Sequence, residues 1–293
     1  MKKKILVLVL FIVFTVNAFA QTAFDYLKDS LIEVLSVSTL MQLANYEYDE
    51  GNALMGTYLE SGKTITLISD YDANVEYLII AAADDLDCDI GLRVYKGGGT
   101  GGTVIARDTN PGAAAVVRFT PKTAEENTFE LINSGDIPAF ISLVVLKYKK
   151  DAMFSFETLV EALGNTLDLA TNISEMLPPE AVIPPNKWTL FGGSVRERSN
   201  TGYFNAQLPS GGYIIAAAGE FSVTDIDVEI LQQHNLNNSD GRKVSINSDS
   251  VDSIDCAIFE ANSSKYYNLK VINKRSKNTS AFMFGFLIQV YED

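Results

Sequence analysis

Residues 77–95 are YLIIAAADDLDCDIGLRVY, and residues 213–230 repeat the pattern as YIIAAAGEFSVTDIDVEI. Each segment begins with an aromatic residue and aliphatic residues, continues through three alanines and an acidic turn, and ends in an Asp-x-Asp strand. A motif that occurs twice in one chain predicts two similar structural units. The chain has 293 residues, of which 47% are hydrophobic, and this is enough apolar mass for two cores.

A second repeated pattern predicts a helix before each unit. Apolar residues with successive spacings of three, four and four occur at Phe24, Leu27, Leu31 and Leu35, and again at Phe156, Leu159, Leu163 and Leu167. This spacing places each set on one face of an amphipathic helix. The second helix is expected to end before Pro178, because proline cannot continue a helix.

The rest of each unit has the pattern of a β-sandwich. Seven short strands are predicted between residues 64 and 148 and seven between 203 and 291, since runs rich in Val, Ile, Phe and Tyr alternate with turn residues. The predicted fold class is mainly β, with two tandem antiparallel, jelly-roll-like β-sandwich domains, each preceded by a helix. The domains are predicted at 21–150 and 151–293, with residues 45–56 and 178–193 as connectors.

The first 20 residues have the features of a signal peptide. Three lysines precede an apolar run at residues 5–16, and Ala18-Phe19-Ala20 supplies the pattern that signal peptidase cleaves, before Gln21. The apolar run is too short for a membrane span. We therefore expect a mature chain that is exported, periplasmic or extracellular, without a membrane span.

The mature chain is strongly acidic. Without the signal it has 20 Lys and Arg against 37 Asp and Glu, a net charge of −17. Nucleic acids and anionic lipids bind clusters of basic residues, so neither is expected as a partner. The first interpretation of this negative charge is that it keeps the protein soluble. The second is that it attracts cationic partners or divalent cations.

Two cysteines, Cys88 and Cys256, lie at non-equivalent places in the two repeats. A bridge between them would have to join the two domains, so two buried, unpaired thiols are the favoured interpretation. The single tryptophan, Trp188, lies in the second connector. It either packs against its own domain, which is the commoner use, or forms a platform for a ligand.

An ordered set of motifs in the first repeat suggests a family. An aromatic strand, an acidic turn, an Asp-x-Asp strand ending in Val-Tyr, a glycine loop and two later strands follow one another at 77–80, 84–85, 87–95, 97–102, 105–108 and 129–133. In this order they resemble the bacterial pre-peptidase C-terminal domain, and the second repeat resembles it more weakly. The chain departs from the family in carrying helices and no recognisable peptidase domain.

The resemblance implies a β-sandwich that is not catalytic and that binds substrate or assists secretion. Relatives of the family in secreted collagenases bind collagen and calcium. A calcium site is also suggested by the residues themselves, because alternation along the strand leaves Asp87 and Asp89 on one face, beside Asp84 and Asp85 on the turn. Calcium prefers such oxygen ligands. The alternative is that these carboxylates face only water.

Catalytic motifs are weak. The glycine loop at 97–102 is followed by a strand rather than by the helix that a phosphate-binding loop requires. The single histidine, His234, lies in a loop of Gln, Asn and Ser, which does not fix the geometry of a nucleophile and its base. One histidine and two distant cysteines do not suggest zinc.

The sequence therefore predicts an exported, non-catalytic binding or assembly module, with no cofactor except a possible calcium ion. Its ligand is expected to be an extracellular protein, a polysaccharide or another copy of the chain. Two alternatives stay open: an accessory or stabilising subunit of a secreted or periplasmic enzyme, and a hydrolase that uses a pair of acidic residues.

Overall fold

The computed structural model describes residues 23–108, 110–150, 156–177, 188–206, 208–233, 241–244 and 252–290. The predicted signal peptide and His234 lie outside these residues. The described part contains two helices, α1 (Ala23–Gln42) and α2 (Phe156–Met176). Its strands are β1 (Tyr46–Tyr48), β2 (Leu54–Leu59), β3 (Thr64–Tyr71), β4 (Tyr77–Ala83), β5 (Ile90–Lys96), β6 (Val104–Asp108), β7 (Ala114–Phe119), β8 (Glu125–Asn133), β9 (Ala139–Tyr148), β10 (Trp188–Arg196), β11 (Asn200–Ala206), β12 (Gly211–Gly219), β13 (Val223–Gln233), β14 (Arg242–Lys243), β15 (Ile254–Ala261), β16 (Tyr266–Ser276) and β17 (Ser280–Val290).

Both predicted helices are present and bury the face that their spacing indicated. Leu27, Leu31 and Leu35 of α1 are buried, as are Leu159 and Leu163 of α2. Helix α1 packs on β9 and β4, and α2 packs on β12 and β17. Helix α2 ends at Met176, before the two prolines that were expected to stop it. In the described residues, no helix is long and apolar enough to cross a membrane.

The strands of each repeat interleave as in a jelly roll. In the first repeat β2-β9-β4-β7 lie side by side in one sheet and β3-β8-β5-β6 in the other. The second repeat has the same order, with β10-β17-β12-β15 in one sheet and β11-β16-β13-β14 in the other. All these pairs are antiparallel. The mainly β, jelly-roll-like fold class predicted from the sequence is confirmed.

The two repeats share one sheet. Strand β2 pairs with β10, so the described strands of both repeats form one continuous nine-stranded sheet. Eight strands lie in the order β15-β12-β17-β10-β2-β9-β4-β7, and β1 pairs with β9 as the ninth. Across this join the hydroxyl oxygens of Thr57 and Thr189 lie 3.2 Å apart, and Arg196 Nη2 donates to Glu50 Oε1 at 2.8 Å. The segments expected to be connectors therefore contain strand β1 and the first residues of β2 and β10. The domain boundary near residue 150 stays a prediction.

The nine-stranded sheet is the middle of three layers. On one face, a core shared by both repeats fills the space towards the two four-stranded sheets; on the other, a second core lies under the helices. The position of strand β4 between the two cores explains why its sequence is apolar throughout. Ile79 and Ala81 face the first core, while Leu78 and Ile80 face the second. Both sides of such a strand are buried, so a simple apolar-polar alternation is absent.

Candidate functional site

Strand register gives a residue-by-residue correspondence between the two repeats. Tyr77 lies opposite Lys147 and Phe119, and Tyr213 lies opposite Gln289 and Phe259. It follows that Gly212 occupies the place of Glu76, Ile258 the place of Arg118, and Val290 the place of Tyr148. These three positions lie together on the helix side of the sheet, near its outer edge.

In the first repeat this place is filled by a group of side chains that we call the Tyr46 cluster: Tyr46, Glu76, Arg118 and Tyr148. The Tyr46 hydroxyl donates a hydrogen bond to Glu76 Oε1, and Arg118 Nε lies 3.8 Å from the same oxygen. The Tyr46 ring packs edge-on against Tyr148, with centroids 5.9 Å apart. Burial and the hydrogen bond to Glu76 raise the pKa of Tyr46 to about 12, so the phenol stays protonated and can donate.

Among the described residues of the second repeat, the same place is an open groove with a volume of about 430 Å³, which we call the edge groove. It is lined by Leu177, residues 210–214, Ile258, Glu260, Gln289 and Val290. At this place the second repeat has a glycine instead of Glu76 and smaller apolar side chains instead of Arg118 and Tyr148. Residues 178–187, which precede β10 as β1 precedes β2, lie outside the described part. Ile258 is 66% exposed at its wall, an unusual position for an isoleucine. The volume is within the range of small-molecule and side-chain pockets.

The groove carries one carboxylate on its rim. Glu260 Oε1 lies 3.5 Å from the position that a Cβ atom on Gly212 would take. Glu260 thus places an acceptor near the point where the Glu76 side chain begins in the first repeat. Among the described residues, no Lys or Arg forms an ion pair with Glu260. Gly211 has a φ of 144°, which disfavours any other residue at that end of the groove.

Both edges of the nine-stranded sheet are protected against pairing with another strand. Asp108 Oδ2 accepts a hydrogen bond from Val116 N at 2.8 Å on β7. Asp255 Oδ1 accepts one from Cys256 N, also at 2.8 Å, at the equivalent position of β15. A carboxylate that occupies an outward N–H group blocks part of the edge from an incoming strand.

The four aspartates predicted to bind calcium lie on one turn, and three of them interact with backbone groups. Asp84 Oδ1 accepts from Phe140 N at 3.0 Å, Asp85 Oδ1 from Asp87 N at 2.9 Å, and Asp89 Oδ1 from Gly112 N at 3.1 Å. Burial raises the pKa of Asp84 to about 6, although the hydrogen bond from Phe140 N opposes the shift. Within the described ranges, no three His, Cys, Asp or Glu side chains are grouped as metal ligands. Calcium binding stays a prediction.

The alternation predicted for the two Asp-x-Asp strands is present. Cys88, Ile90, Leu92 and Val94 are buried in the first repeat, and Ile226, Val228 and Ile230 in the second. The acidic face of the second strand is matched by lysines. Lys274 Nζ lies 2.8 Å from Asp227 Oδ2, and Lys270 Nζ lies 3.9 Å from Glu229 Oε1. A bound cation is not required to relieve the repulsion among these carboxylates.

Asp49 is a buried carboxyl group that sequence reasoning missed. It is 8% exposed, and its Oδ1 lies 3.3 Å from Lys147 Nζ. Burial raises the pKa of Asp49 to about 6, against the opposing charge of Lys147. Asp49 directly follows β1, at the start of the segment that joins β1 to β2, where the sequence offered no motif. The pair is enclosed, which is the usual setting of a structural ion pair.

Three other sequence features have structural roles. Trp188 is buried and stacks on Phe286, with centroids 5.8 Å apart, so it packs within its own fold and is no exposed platform. The glycine loop joins β5 to β6, as predicted for a connector between strands. Gly99 N in that loop donates to the buried Thr128 Oγ1 at 2.6 Å.

The cysteine prediction is half right. Cys88 and Cys256 are both free thiols, as expected. Cys88 is buried, but Cys256 is exposed. The reason is position: β15 is an edge strand, and its residues 254, 256, 258 and 260 face away from the core while 255, 257, 259 and 261 face it. The expectation that both thiols are buried was wrong for Cys256.

Comparison with known proteins gives similarity in shape alone. No model of a protein family matches the chain, and no curated protein matches it by sequence. The exported protein XepA of PBSX is 13% identical, with a TM-score of 0.27, over 83% of this chain and 85% of that one. The pre-peptidase C-terminal domain of the collagenase from Bacillus anthracis is 10% identical, with a TM-score of 0.28, over 33% and 90%.

A third solved structure is the xylan-binding module CBM86 from Roseburia intestinalis, which is 14% identical, with a TM-score of 0.25, over 36% of this chain and 83% of that one. A pre-peptidase C-terminal domain is thus among the structures that the chain is similar to. That the chain contains two such domains in tandem stays a prediction. Similarity at this level says nothing about a ligand.

Proposed function

We propose that this chain is an exported, non-catalytic binding module that holds a protein partner in the edge groove of its second repeat. The observation that carries the proposal is the contrast between equivalent places in one chain. Among the described residues, the Tyr46 cluster fills this place in the first repeat, whereas the second repeat has a groove of about 430 Å³ there. Ile258, which is 66% exposed at the wall of this groove, adds apolar surface that a protein partner would cover.

The chemistry of the groove favours a protein over a polysaccharide. Its walls combine apolar side chains at Ile214, Ile258 and Val290 with polar residues at Ser210, Glu260 and Gln289. Sugar rings bind best to exposed aromatic faces beside polar side chains. The two most exposed aromatic side chains in the described part are Tyr148 and Phe221, and neither lines the groove.

The experiment is affinity capture from the native envelope or culture fluid with three forms of the mature chain. Gly212→Leu fills the groove, and the space around Gly212 admits a side chain, since its nearest neighbours would lie at 3.5 and 3.8 Å. Ile254→Arg is the matched control, because Ile254 is exposed on the same strand but does not line the groove. We expect wild type and the control to capture the same protein and Gly212→Leu to lose it. Equal capture by all three forms would contradict the proposal.

The second candidate function is that of an accessory subunit of an enzyme. The same capture experiment distinguishes it from the first, because it identifies the partner. If the captured protein is an enzyme, the module would bind only its native state and so slow its thermal inactivation.

A hydrolase that uses acidic residues is a weaker alternative. Asp49 and Asp84 both have a pKa raised to about 6, a value suited to a general acid. Both are held by neighbouring groups of the fold, namely Lys147 and Phe140 N.

Calcium binding at Asp84, Asp85, Asp87 and Asp89 is a separate proposal that rests on the sequence pattern. A cation bound only by the native state would raise the melting temperature. The test compares melting with calcium and with a chelator, using Asp85→Asn with Asp87→Asn as the control variant. Identical melting temperatures in the two conditions would remove the proposal.

A further inference from the structure

We infer that the second repeat binds another copy of the chain, head to tail, through three exposed cations that we call the basic end: Arg198, Arg275 and Lys277. This inference does not depend on the edge groove and goes beyond the proposed function. It derives from a second contrast between the repeats, because equivalent segments at one end of each repeat carry opposite charge.

Backbone hydrogen bonds show which segments are equivalent. Arg198 N donates to Asn273 O at 2.6 Å, and at the same place in the first repeat Gly62 N donates to Asn133 O at 3.0 Å. The first bond ties the segment before β11 to the segment before β17, and the second ties the segment before β3 to the segment before β9. The charges on these segments can therefore be compared directly between the repeats.

The first repeat has an acidic end where the second has its basic end. Residues 196–199 and 274–280 contain five Lys and Arg and one carboxylate, Glu197. Residues 60–63 and 134–138 contain one lysine and two carboxylates, and the aspartates of residues 84–89 lie beside them, since Asp89 O accepts from Ser134 N at 2.7 Å. The acidic end comprises four exposed carboxylates: Glu60, Asp85, Asp87 and Asp136.

The cations of the basic end have no counter-ion within the described part of the chain. Of the five cations on the two segments, Arg196 donates to Glu50, and Lys274 Nζ lies 2.8 Å from Asp227 Oδ2. The other three are exposed, and among the described residues they form no ion pair. Cations grouped in this way favour an acidic partner, which relieves their mutual repulsion.

Arg198 has a backbone conformation that favours glycine. Its φ is 65°, and the equivalent residue of the first repeat is Gly62, with a φ of 69°. A residue other than glycine is strained in this conformation, and such strain is typical of functional positions. Because the fold does not require an arginine here, we attribute its presence to its charge.

The basic end lies on the inner side of the second repeat. Its segments adjoin β10, β11, β16 and β17, whereas residues 245–251, outside the described part, join β14 to β15, the outermost strands of their sheets. Residues 245–251 contain one carboxylate, Asp249. The three cations therefore outnumber Glu197 and Asp249 together.

The basic and acidic ends face opposite directions, which suits the association of identical chains. Strand β2 pairs antiparallel with β10, its counterpart in the other repeat, so equivalent ends of the repeats lie at opposite ends of the sheet. When the basic end of one copy binds the acidic end of the next, each copy keeps one end free. Such a contact builds a ring or an open chain of copies.

The test is sedimentation velocity of the mature full-length chain with a chelator present, over a range of protein concentrations. Measurements are made at about 0.1 M salt, where a Debye length of about 10 Å screens the net charges of whole chains but not charges in contact, and at about 1 M, where it is about 3 Å. We expect wild type to associate at the lower salt concentration, and its dissociation constant to rise at least about tenfold at the higher one.

Two neutralised variants identify the ends that meet. Arg275→Gln with Lys277→Gln removes two charges of the basic end, and Asp85→Asn with Asp87→Asn removes two of the acidic end. Each variant should be monomeric alone. Their mixture should form a dimer with one copy of each, since only one intact basic end and one intact acidic end remain to meet.

Arg198→Gly separates binding from folding. We expect it to weaken association without lowering the melting temperature, because glycine is unstrained at this φ. Lys122→Gln with Lys150→Gln is the control, which changes two exposed lysines elsewhere and should associate as wild type does.

Three results would each overturn the inference: a wild-type chain that is monomeric at every concentration, association that survives in the neutralised variants, and a mixture of these variants that stays monomeric. A monomeric chain that binds heparin through Arg275 and Lys277 would overturn it too, since the occupant of the basic end would then be a polyanion.

Discussion

Ile258 of β15 lies directly opposite Ile214 of β12, in the register position that Arg118 holds opposite Leu78 in the first repeat. One duplicated framework thus carries a polar, filled surface in one copy and an apolar, open surface in the other. The pairing of β12 with β15 matches that of β4 with β7, whereas β1, which carries Tyr46, has no counterpart among the described strands of the second repeat. The side chains at these register positions differ between the repeats although the strand pairing is the same. We therefore examine these positions for a binding function.

Removal of the Tyr46 side chain should turn the first repeat into a second groove. We expect Tyr46→Ala to lower the free energy of unfolding by about 3 kcal/mol, the usual cost of truncating a buried aromatic side chain. Added p-cresol should then raise the melting temperature of the variant more than that of wild type, because the phenol can refill the space. Tyr148→Ala, which removes an exposed ring from the same cluster, is the control. An equal response of all three proteins to p-cresol would contradict the correspondence between cluster and groove.

The join between the repeats should tolerate no side chain at Gly193. A Cβ atom there would lie 2.3 Å from Gly51 O and 2.8 Å from Ala53 Cβ, so the backbone would have to shift. We expect Gly193→Ala to cost about 2 kcal/mol in urea unfolding. Gly164→Ala is the matched control, since nothing lies within 4 Å of its Cβ position in α2. That change should stabilise by up to about 1 kcal/mol, because alanine is the better helix former.

Stability should depend on pH through Asp49. Burial holds its pKa near 6 in the folded protein against an ordinary value of 3.8, so between these values the folded state binds a proton that the unfolded chain has released. The free energy of unfolding therefore falls as the pH rises through this window, by at most about 3 kcal/mol, and levels off above it. Chemical unfolding at a series of pH values measures the slope.

Asp49→Asn should flatten that slope in part, because Asp84, whose pKa burial also raises to about 6, acts in the same direction. Asp136→Asn changes an exposed carboxylate and should leave the slope as it is in wild type. A slope that is unchanged in Asp49→Asn would show that this carboxyl group titrates at an ordinary value.

The two thiols should react at very different rates. Cys256 is exposed and Cys88 is buried, so a thiol reagent should modify one cysteine per native chain and two after denaturation. Partial burial and the neighbouring Asp255 carboxylate raise the pKa of Cys256, so its reaction should be slow at neutral pH and faster in alkaline solution. Cys256→Ser should leave the native chain unreactive. Modification of both thiols in the native state would contradict their placement.

The repeated motif was sufficient to predict the fold class, because strand alternation and helix spacing are local properties of sequence. The buried faces of both helices and of both Asp-x-Asp strands follow from those spacings. The join between the repeats was not predictable in the same way. Gly56 and Gly192 lie within β2 and β10, and a glycine weakens the strand pattern of a sequence. The pairing between these strands also depends on residues far apart in the chain.

The candidate site was missed for a different reason. Sequence reasoning sought charged or repeated motifs, whereas the edge groove arises where Gly212 and Ile258 depart from Glu76 and Arg118. These departures become visible only when strand register aligns the repeats, since a loop of different length shifts the numbering between them. The exposure of Cys256 had the same origin, because it depends on β15 being the last strand of the sheet.

Hydrogen exchange of the mature chain, measured alone and with its captured partner, tests the central claim most directly. The account predicts slower exchange of backbone amides at residues 210–214 and 256–261, which form and flank the edge groove. The equivalent residues 74–78 and 116–121 of the first repeat serve as an internal control and should exchange at unchanged rates. Protection of the first-repeat residues, or no change at 210–214 and 256–261 in the presence of saturating partner, would contradict the account.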